Sequence, residues 1–498
     1  MDAEFNQVKE RVETTINGSE ILGLQSDGWS NIRNQGVINC IITTPSPLLE
    51  ASIETKLQRH TAQYIAEEMG KIIEKYGSNK FLGFVSDNAK NMKLAGTILN
   101  EKYDIIPYGC LSHGLNLLCN DLLKINIISA LIDKVTDIAK EIKRKQVLYE
   151  LLRTKQIDNK NVEPNAGAIM LPVKTRWSSI LSSLKSVYST RLSLQGVAVS
   201  QEATTIIDKY VKQWILDDEI FWGQISNLIH IFEPICKWLK IVEGDYGTIH
   251  FAVKAFHDIK RVIQNNLASS PAPLPLNDRE KTELLAFVDK REKFIIKPIH
   301  YAAELLNPKS QGSELNETQI LSAIECILNI SKNKLNINEQ EIIDEIANYR
   351  CRSGKLFGNN FIWKSSFDNP VSWWKGLCSS SSLSKVASRI LMMPASSAAT
   401  ERSFSVYSHI HSKKRNRLTN DRASKLLYVS HNENLLKKIE KGDRSIYISD
   451  TVEDFEEVDW HEEDGEDPNA GDSIEDDDDC DEDLPHAQLV CQIFFLQL

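Results

Sequence analysis

Phe81-Leu-Gly-Phe-Val-Ser-Asp87-Asn88 is the stretch on which the fold turns. Phe81 to Val85 is a short apolar run closed by Ser86-Asp87-Asn88, the pattern of a buried strand that ends in a turn. An earlier stretch has the same shape, because Ile21 to Gln25 runs into Ser26-Asp27-Gly28. Between them, Val37 to Thr43 is rich in β-branched residues, and Pro45 and Pro47 are expected to stop it. Thr61 to Tyr76 places Ile65, Met69, Ile72, Ile73 and Tyr76 at helical spacing, with Gly77 as terminator. Asn88 or Asn91 is the expected cap of a helix through Leu94, Ile98 and Leu99. Ile105-Ile106 then opens a third strand-like segment leading to Cys110 and a helix from Ser112 to Lys124. Early strands followed by strands alternating with helices predict an α/β fold, a mixed sheet covered by helices.

Further along the texture changes. Long amphipathic stretches such as Ile127 to Leu152, Ile220 to Val242 and Thr318 to Leu328 dominate, broken by a Pro-rich loop from Ala268 to Leu276. Local signals return with Val371-Ser-Trp373-Trp374, a helix from Ser384 to Met393, and a turn at Pro394. A helix from Ser397 to His411 follows, and a final one is capped by Asn420. The expected organisation is therefore a mixed-sheet part over 1–125, a helical block over 126–368, a return to the first part over 369–440, and a tail over 441–498.

The chain has 498 residues, a soft prior of about three domains, and its 42% hydrophobic content excludes a wholly disordered or fibrous protein. Its start is polar and charged, so no secretory signal is expected, and no apolar run is long enough for a membrane helix. The net charge of −11 hides an asymmetry. Asp450 to Asp483 holds 20 acidic and no basic residues, which leaves 49 acids against 58 bases in 1–449, a net of +9. A basic body suits a polyanionic partner, and the acidic tail reads as a disordered, solvated or autoinhibitory arm. The nine cysteines are scattered without a C-x-x-C pair, which favours reduced thiols over a disulfide scaffold or zinc ribbon.

Four groups of residues could carry chemistry. Asp27 and Asp87 each follow an expected strand, and converging carboxylates suit Mg²⁺, a hard cation that takes oxygen ligands; each is also an ordinary turn aspartate. Cys110-Leu-Ser-His113 offers two metal ligands, but no second pair accompanies it, and a buried cysteine beside a helix-start histidine is the plain alternative. Arg176-Trp177 could bind a phosphate and stack on an unpaired base, or Trp177 could anchor the core. On the expected late helix, Ala398, Glu401, Arg402 and Ser405 share a face, and Lys413-Lys414-Arg415-Asn-Arg417 follows as a phosphate-contacting run or an exposed turn.

Taken in order, these segments resemble the hAT superfamily of DNA transposases. Ser26-Asp27-Gly28-Trp29-Ser30 is similar to the first acidic motif of that family, and Val85-Ser-Asp87-Asn-Ala-Lys-Asn91 to its second. Cys110-Leu-Ser-His113-Gly-Leu-Asn116-Leu resembles its C-x-x-H segment and Thr175-Arg176-Trp177 its Arg-Trp motif. Trp373-Trp374 through Leu436, with Thr400-Glu401-Arg402-Ser403-Phe404-Ser405 at its core, resembles the C-terminal dimerisation region. The resemblance spans about Glu20 to Leu436.

The resemblance implies an RNase H-like domain, of the DUF659 type, interrupted by a large all-α insertion. It implies that Asp27, Asp87 and Glu401 form a D-D-E triad holding Mg²⁺ or Mn²⁺ for cleavage and transfer of DNA strands, with Cys110 and His113 close by. Arg176, Trp177, Lys413, Lys414, Arg415 and Arg417 are the implied contacts to double-stranded transposon ends, in the nucleus. Trp373, Trp374, Phe404, Leu426 and Leu427 are the implied dimerisation residues of a homo-oligomer. Active members usually carry an N-terminal BED-type zinc finger, whereas the 26 residues before Asp27 contain no Cys or His, so no zinc finger is expected here. Two functions therefore stand side by side: a metal-dependent transposase, and a catalytically inactive, domesticated derivative acting through C-terminal association.

Overall fold

The computed structural model describes residues 1–30, 36–44, 46–55, 60–173, 177–217, 220–268, 274–365, 369–410 and 418–441, and the side chains of Trp29 and Ser30 lie outside that description. Residues 442–498 of the expected tail and the Lys413–Arg417 run lie outside the described residues, as do Lys174, Thr175 and Arg176.

Five strands form one sheet: β1 (Leu22–Ser30), β2 (Gly36–Thr43), β3 (Pro47–Glu54), β4 (Phe81–Ser86) and β5 (Ile106–Gly109). Their order is β3-β2-β1-β4-β5, with β1, β2 and β3 antiparallel and β1, β4 and β5 parallel. This is the mixed RNase H-like sheet expected from the sequence. Parallel neighbours need crossover helices, and Ala62–Tyr76 and Lys90–Tyr103 supply them. Thr61 caps the first of these through the Tyr64 N–H.

All six residues of β4 are buried, as a central strand covered on both faces requires. An irregularity in its pairing with β1 leaves Leu82 outside the register. Leu82 and Val85 therefore reach one apolar core, while Phe81 and Phe84 reach the other. The second core is closed by Asp2–Gly18, the crossover helices, and the late helices Ala398–Ile410 and Asn420–Glu440. The first is continuous with the helical block, where no strand occurs among the described residues from 126 to 365.

Three local readings are corrected. Asp27 lies inside β1, paired with Asn39 of β2, because the strand runs on past Gln25 to Ser30. Pro47 opens a strand instead of ending one, since β3 is an edge strand and its first residue needs no ladder donor there. The helix after Asp87 is preceded by Ala89 without a side-chain cap, and the last helix is capped by Thr419, one residue before Asn420. The buried Asn432 both donates to the Leu49 carbonyl and accepts from its N–H at 2.9 Å, so the last helix seals the sheet edge.

Candidate active site

The site is built by the sheet first. Gln25 pairs with Val85 in the parallel β1–β4 register, and two residues further on come Asp27, still inside β1, and Asp87, just past the end of β4. Asp27 is buried, and its Oδ1 accepts from the Gly28 N–H at 2.7 Å. Asp87 is half-buried and accepts from the Ala89 N–H at 3.3 Å, as a residue leading into a helix does.

The third acid arrives from far along the chain. Asn39, the cross-strand partner of Asp27, donates through Nδ2 to Ser403 Oγ at 2.7 Å, and Ser403 Oγ donates to the Thr400 carbonyl at 2.6 Å. The Ala398–Ile410 helix is thereby tied across β1 and β2, two residues from Glu401. Burial of Ala398, Ala399, Thr400, Ser403, Phe404 and Tyr407 on its inner side turns Glu401 outward. Glu401 itself is exposed, although dense protein surrounds it.

The three acids stand within electrostatic reach of one another. Burial, then the negative charges of Asp87 and Glu401, hold the Asp27 carboxyl well above the usual carboxylate range against the Gly28 N–H. Burial also raises Asp87, opposed by the Ala89 N–H and by Lys93. Glu401 is pushed up to about 7 by enclosure, then by the charges of Glu243 and Asp87, with Arg402 opposing. Burial and the acids' own charges outweigh the nearby cations Lys93 and Arg402, so the carboxyls remain raised. Oxygen donors only, carrying surplus negative charge, are the chemistry that suits a divalent cation. Among the described residues, however, no three His, Cys, Asp or Glu stand close enough to hold one ion together.

Cys110 adjoins the site as a structural residue. Its Sγ caps the Leu111–Leu122 helix by accepting from the His113 N–H at 3.5 Å, and it also accepts from the Ser397 N–H at 3.3 Å. Burial and the charge of Glu401 push its thiol up to about 11. Glu243, at the end of the Ile220–Val242 helix, was not singled out by sequence. It stands within electrostatic reach of Glu401, and its own carboxyl is raised by burial. Its neighbourhood is set by the fold, and its local sequence carries no motif.

Several expected site residues are placed elsewhere. Trp177 takes the core-anchor alternative: it is 6% exposed and stacks on Phe232 at 5.9 Å. Trp373 and Trp374 are core residues as well, donating to the Ile362 and Leu306 carbonyls in an aromatic cluster with Tyr349, Phe357 and Trp363. Phe404 and Leu427 are buried under the sheet, and of the five expected dimerisation residues only Leu426 keeps partial exposure. Four of the five therefore pack inside the protomer.

This mixed five-stranded sheet, with Asp27 inside one strand and Asp87 just past the end of its parallel neighbour, defines the class of RNase H-like folds. Two family models match the chain: a domain of unknown function, DUF659, over residues 1–138, and the hAT family C-terminal dimerisation region over residues 355–433. Within that class the two matched regions are consistent with an hAT-type, transposase-like protein, and the matched dimerisation region supports homo-oligomerisation. No curated protein matches it.

Proposed function

We propose that the protein is a metal-dependent DNA strand transferase of hAT type, with Asp27, Asp87 and Glu401 as its D-D-E triad. One observation carries this reading: Asn39, the cross-strand partner of Asp27, bonds Ser403 two residues from Glu401, although 374 positions separate Asp27 from Glu401 in sequence. Asp27, fixed by the Gly28 N–H, and Asp87, fixed by the Ala89 N–H, would with Glu401 hold Mg²⁺ or Mn²⁺ by carboxylate oxygens, and the metal would supply an activated water and charge neutralisation at a phosphodiester. Arg176, Lys413, Lys414, Arg415 and Arg417 are proposed as phosphate contacts to double-stranded DNA, acting in the nucleus. The test is Mg²⁺- or Mn²⁺-dependent cleavage of a DNA end by the full chain. Cleavage abolished by Asp87→Ala supports the reading, and equal inertness of both proteins on several DNA substrates rejects it.

A second reading is favoured by a specific observation, the absence among the described residues of three acids close enough to share an ion. In that reading the chain is a domesticated, inactive derivative acting through self-association. Divalent-ion binding that is unaffected by loss of any of the three acids is its expected signature.

A further inference from the structure

The helix that carries Glu401 is preceded by an irregular buried segment, Met393 to Ser397, whose main-chain polar groups need partners from elsewhere. They come from two sides. The sheet side supplies the Tyr108 hydroxyl to the Pro394 carbonyl at 2.9 Å and the Leu111 N–H to the Ala395 carbonyl at 2.9 Å. The helical block supplies the rest through a turn that follows the Ile220–Val242 helix. Thr248 Oγ1 accepts from the Ala395 N–H at 2.9 Å, and the N–H groups of Thr248 and Ile249 donate to the Met393 carbonyl at 3.1 and 3.2 Å. Ser396 Oγ donates to the Val242 carbonyl at 2.7 Å. Thr248 is fully buried. At Gly247 a Cβ would lie 2.4 Å from the Leu391 carbonyl oxygen and 2.9 Å from Met392 Cα, so only glycine permits this backbone-to-backbone approach. Beyond the segment, Arg402 donates to the Glu243 carbonyl and pairs with Asp245 of the same turn.

We infer that the 242–249 turn of the helical block positions Glu401, with Thr248 as the positioning residue. The block is then a working part of the site. The proposal rests on the three-acid reading for its chemistry, whereas the docking itself is tested without it. Removing the Thr248 hydroxyl strands the buried Ala395 N–H, and a stranded buried donor is costly.

The experiment is amide hydrogen exchange on the full chain, with Mn²⁺ titration calorimetry on the same samples. Thr248→Val is expected to speed exchange over residues 393–402 about tenfold and to weaken Mn²⁺ binding about tenfold, while Thr248→Ser, which keeps the hydroxyl, restores both. Unchanged exchange in Thr248→Val, or a Thr248→Ser chain as impaired as Thr248→Val, overturns the proposal. Should Thr248→Val fail to fold, Asp245→Asn, on the exposed side of the turn, is expected to speed exchange over 398–402, and no change there overturns it equally. Asp27→Asn and Glu401→Gln separate the two readings. If both abolish Mn²⁺ binding and Thr248→Val does not weaken it, positioning is wrong. If neither affects it, the three-acid reading is wrong, and the exchange result alone then decides the docking.

Discussion

Glu401 holds its proton to an unusual height because Glu243 and Asp87 add their charges to its enclosure, bringing its carboxyl to about 7. The sign follows from linkage. Between the ordinary carboxylate range and about pH 7, the native state keeps a proton that the unfolded chain has released, so stability falls as pH rises through that window. Asp27, also held well above its ordinary range, acts in the same direction. Thermal unfolding should therefore show a wild-type Tm that drops more steeply from pH 5 to pH 8 than that of Glu401→Gln; parallel profiles would contradict the assignment. A divalent ion competes with the same protons, and its affinity is expected to rise across this range. Asp27, Asp87 and Glu401 were legible in the sequence as acids in ordered motifs. Asn39 and Glu243 were not, because Asn39 reads as one polar residue within Val37–Thr43 and Glu243 as a helix-end charge. Each acquires meaning only from what the fold lays beside it.

At the scale of elements, the junction between sheet and helical block is held by the Leu111–Leu122 helix against Asp278–Ile295. Gly114 sits where a Cβ would meet Ile295 Cγ1 at 2.4 Å, which lets the two helices approach closely. Beside it Asp121, 1% exposed, pairs with Arg291 at 2.7 Å and with the more exposed Lys124 at 2.8 Å. Burial pushes the Asp121 carboxyl up, and the two cations outweigh it, holding the group below its ordinary range. Asp121→Ala strands a largely buried guanidinium, so urea unfolding at pH 7 should register a loss of about 3 kcal/mol. A loss within about 0.5 kcal/mol, as at an ordinary surface site, would refute that role. In the wild type this contribution should fade as pH falls through the depressed value. Elements with strong periodicity, such as Ala62–Tyr76, were readable from sequence. Asp2–Gly18 escaped notice because only Val8, Val12 and Ile16 are buried in an otherwise polar helix. The edge strand β3 escaped because its prolines read as a stop.

For the whole molecule, the dimerisation region proves to be shared between two cores. Trp373 and Trp374 belong to the core of the helical block, whereas Phe404 and Leu427 belong to the core beneath the sheet. Motif reading located the region and missed this division, since a buried tryptophan and an interface tryptophan have the same letter. The full chain is expected to sediment as a dimer or larger species at micromolar concentration, and a monomer throughout that range would count against homo-oligomerisation. Trp374→Ala should cost about 3–5 kcal/mol of stability, as large aromatic truncations in cores do. A stable, folded monomer from that substitution would instead return Trp374 to an interface.

The central claim is that three acids gathered by the sheet and a distant helix hold a divalent ion. Calorimetric titration of Mn²⁺ into the full chain at pH 8 tests it most directly, beside Asp27→Asn, Asp87→Asn and Glu401→Gln. Saturable binding by the wild type, lost or weakened at least tenfold in each variant, is the predicted result. The same isotherm from all four proteins would contradict it.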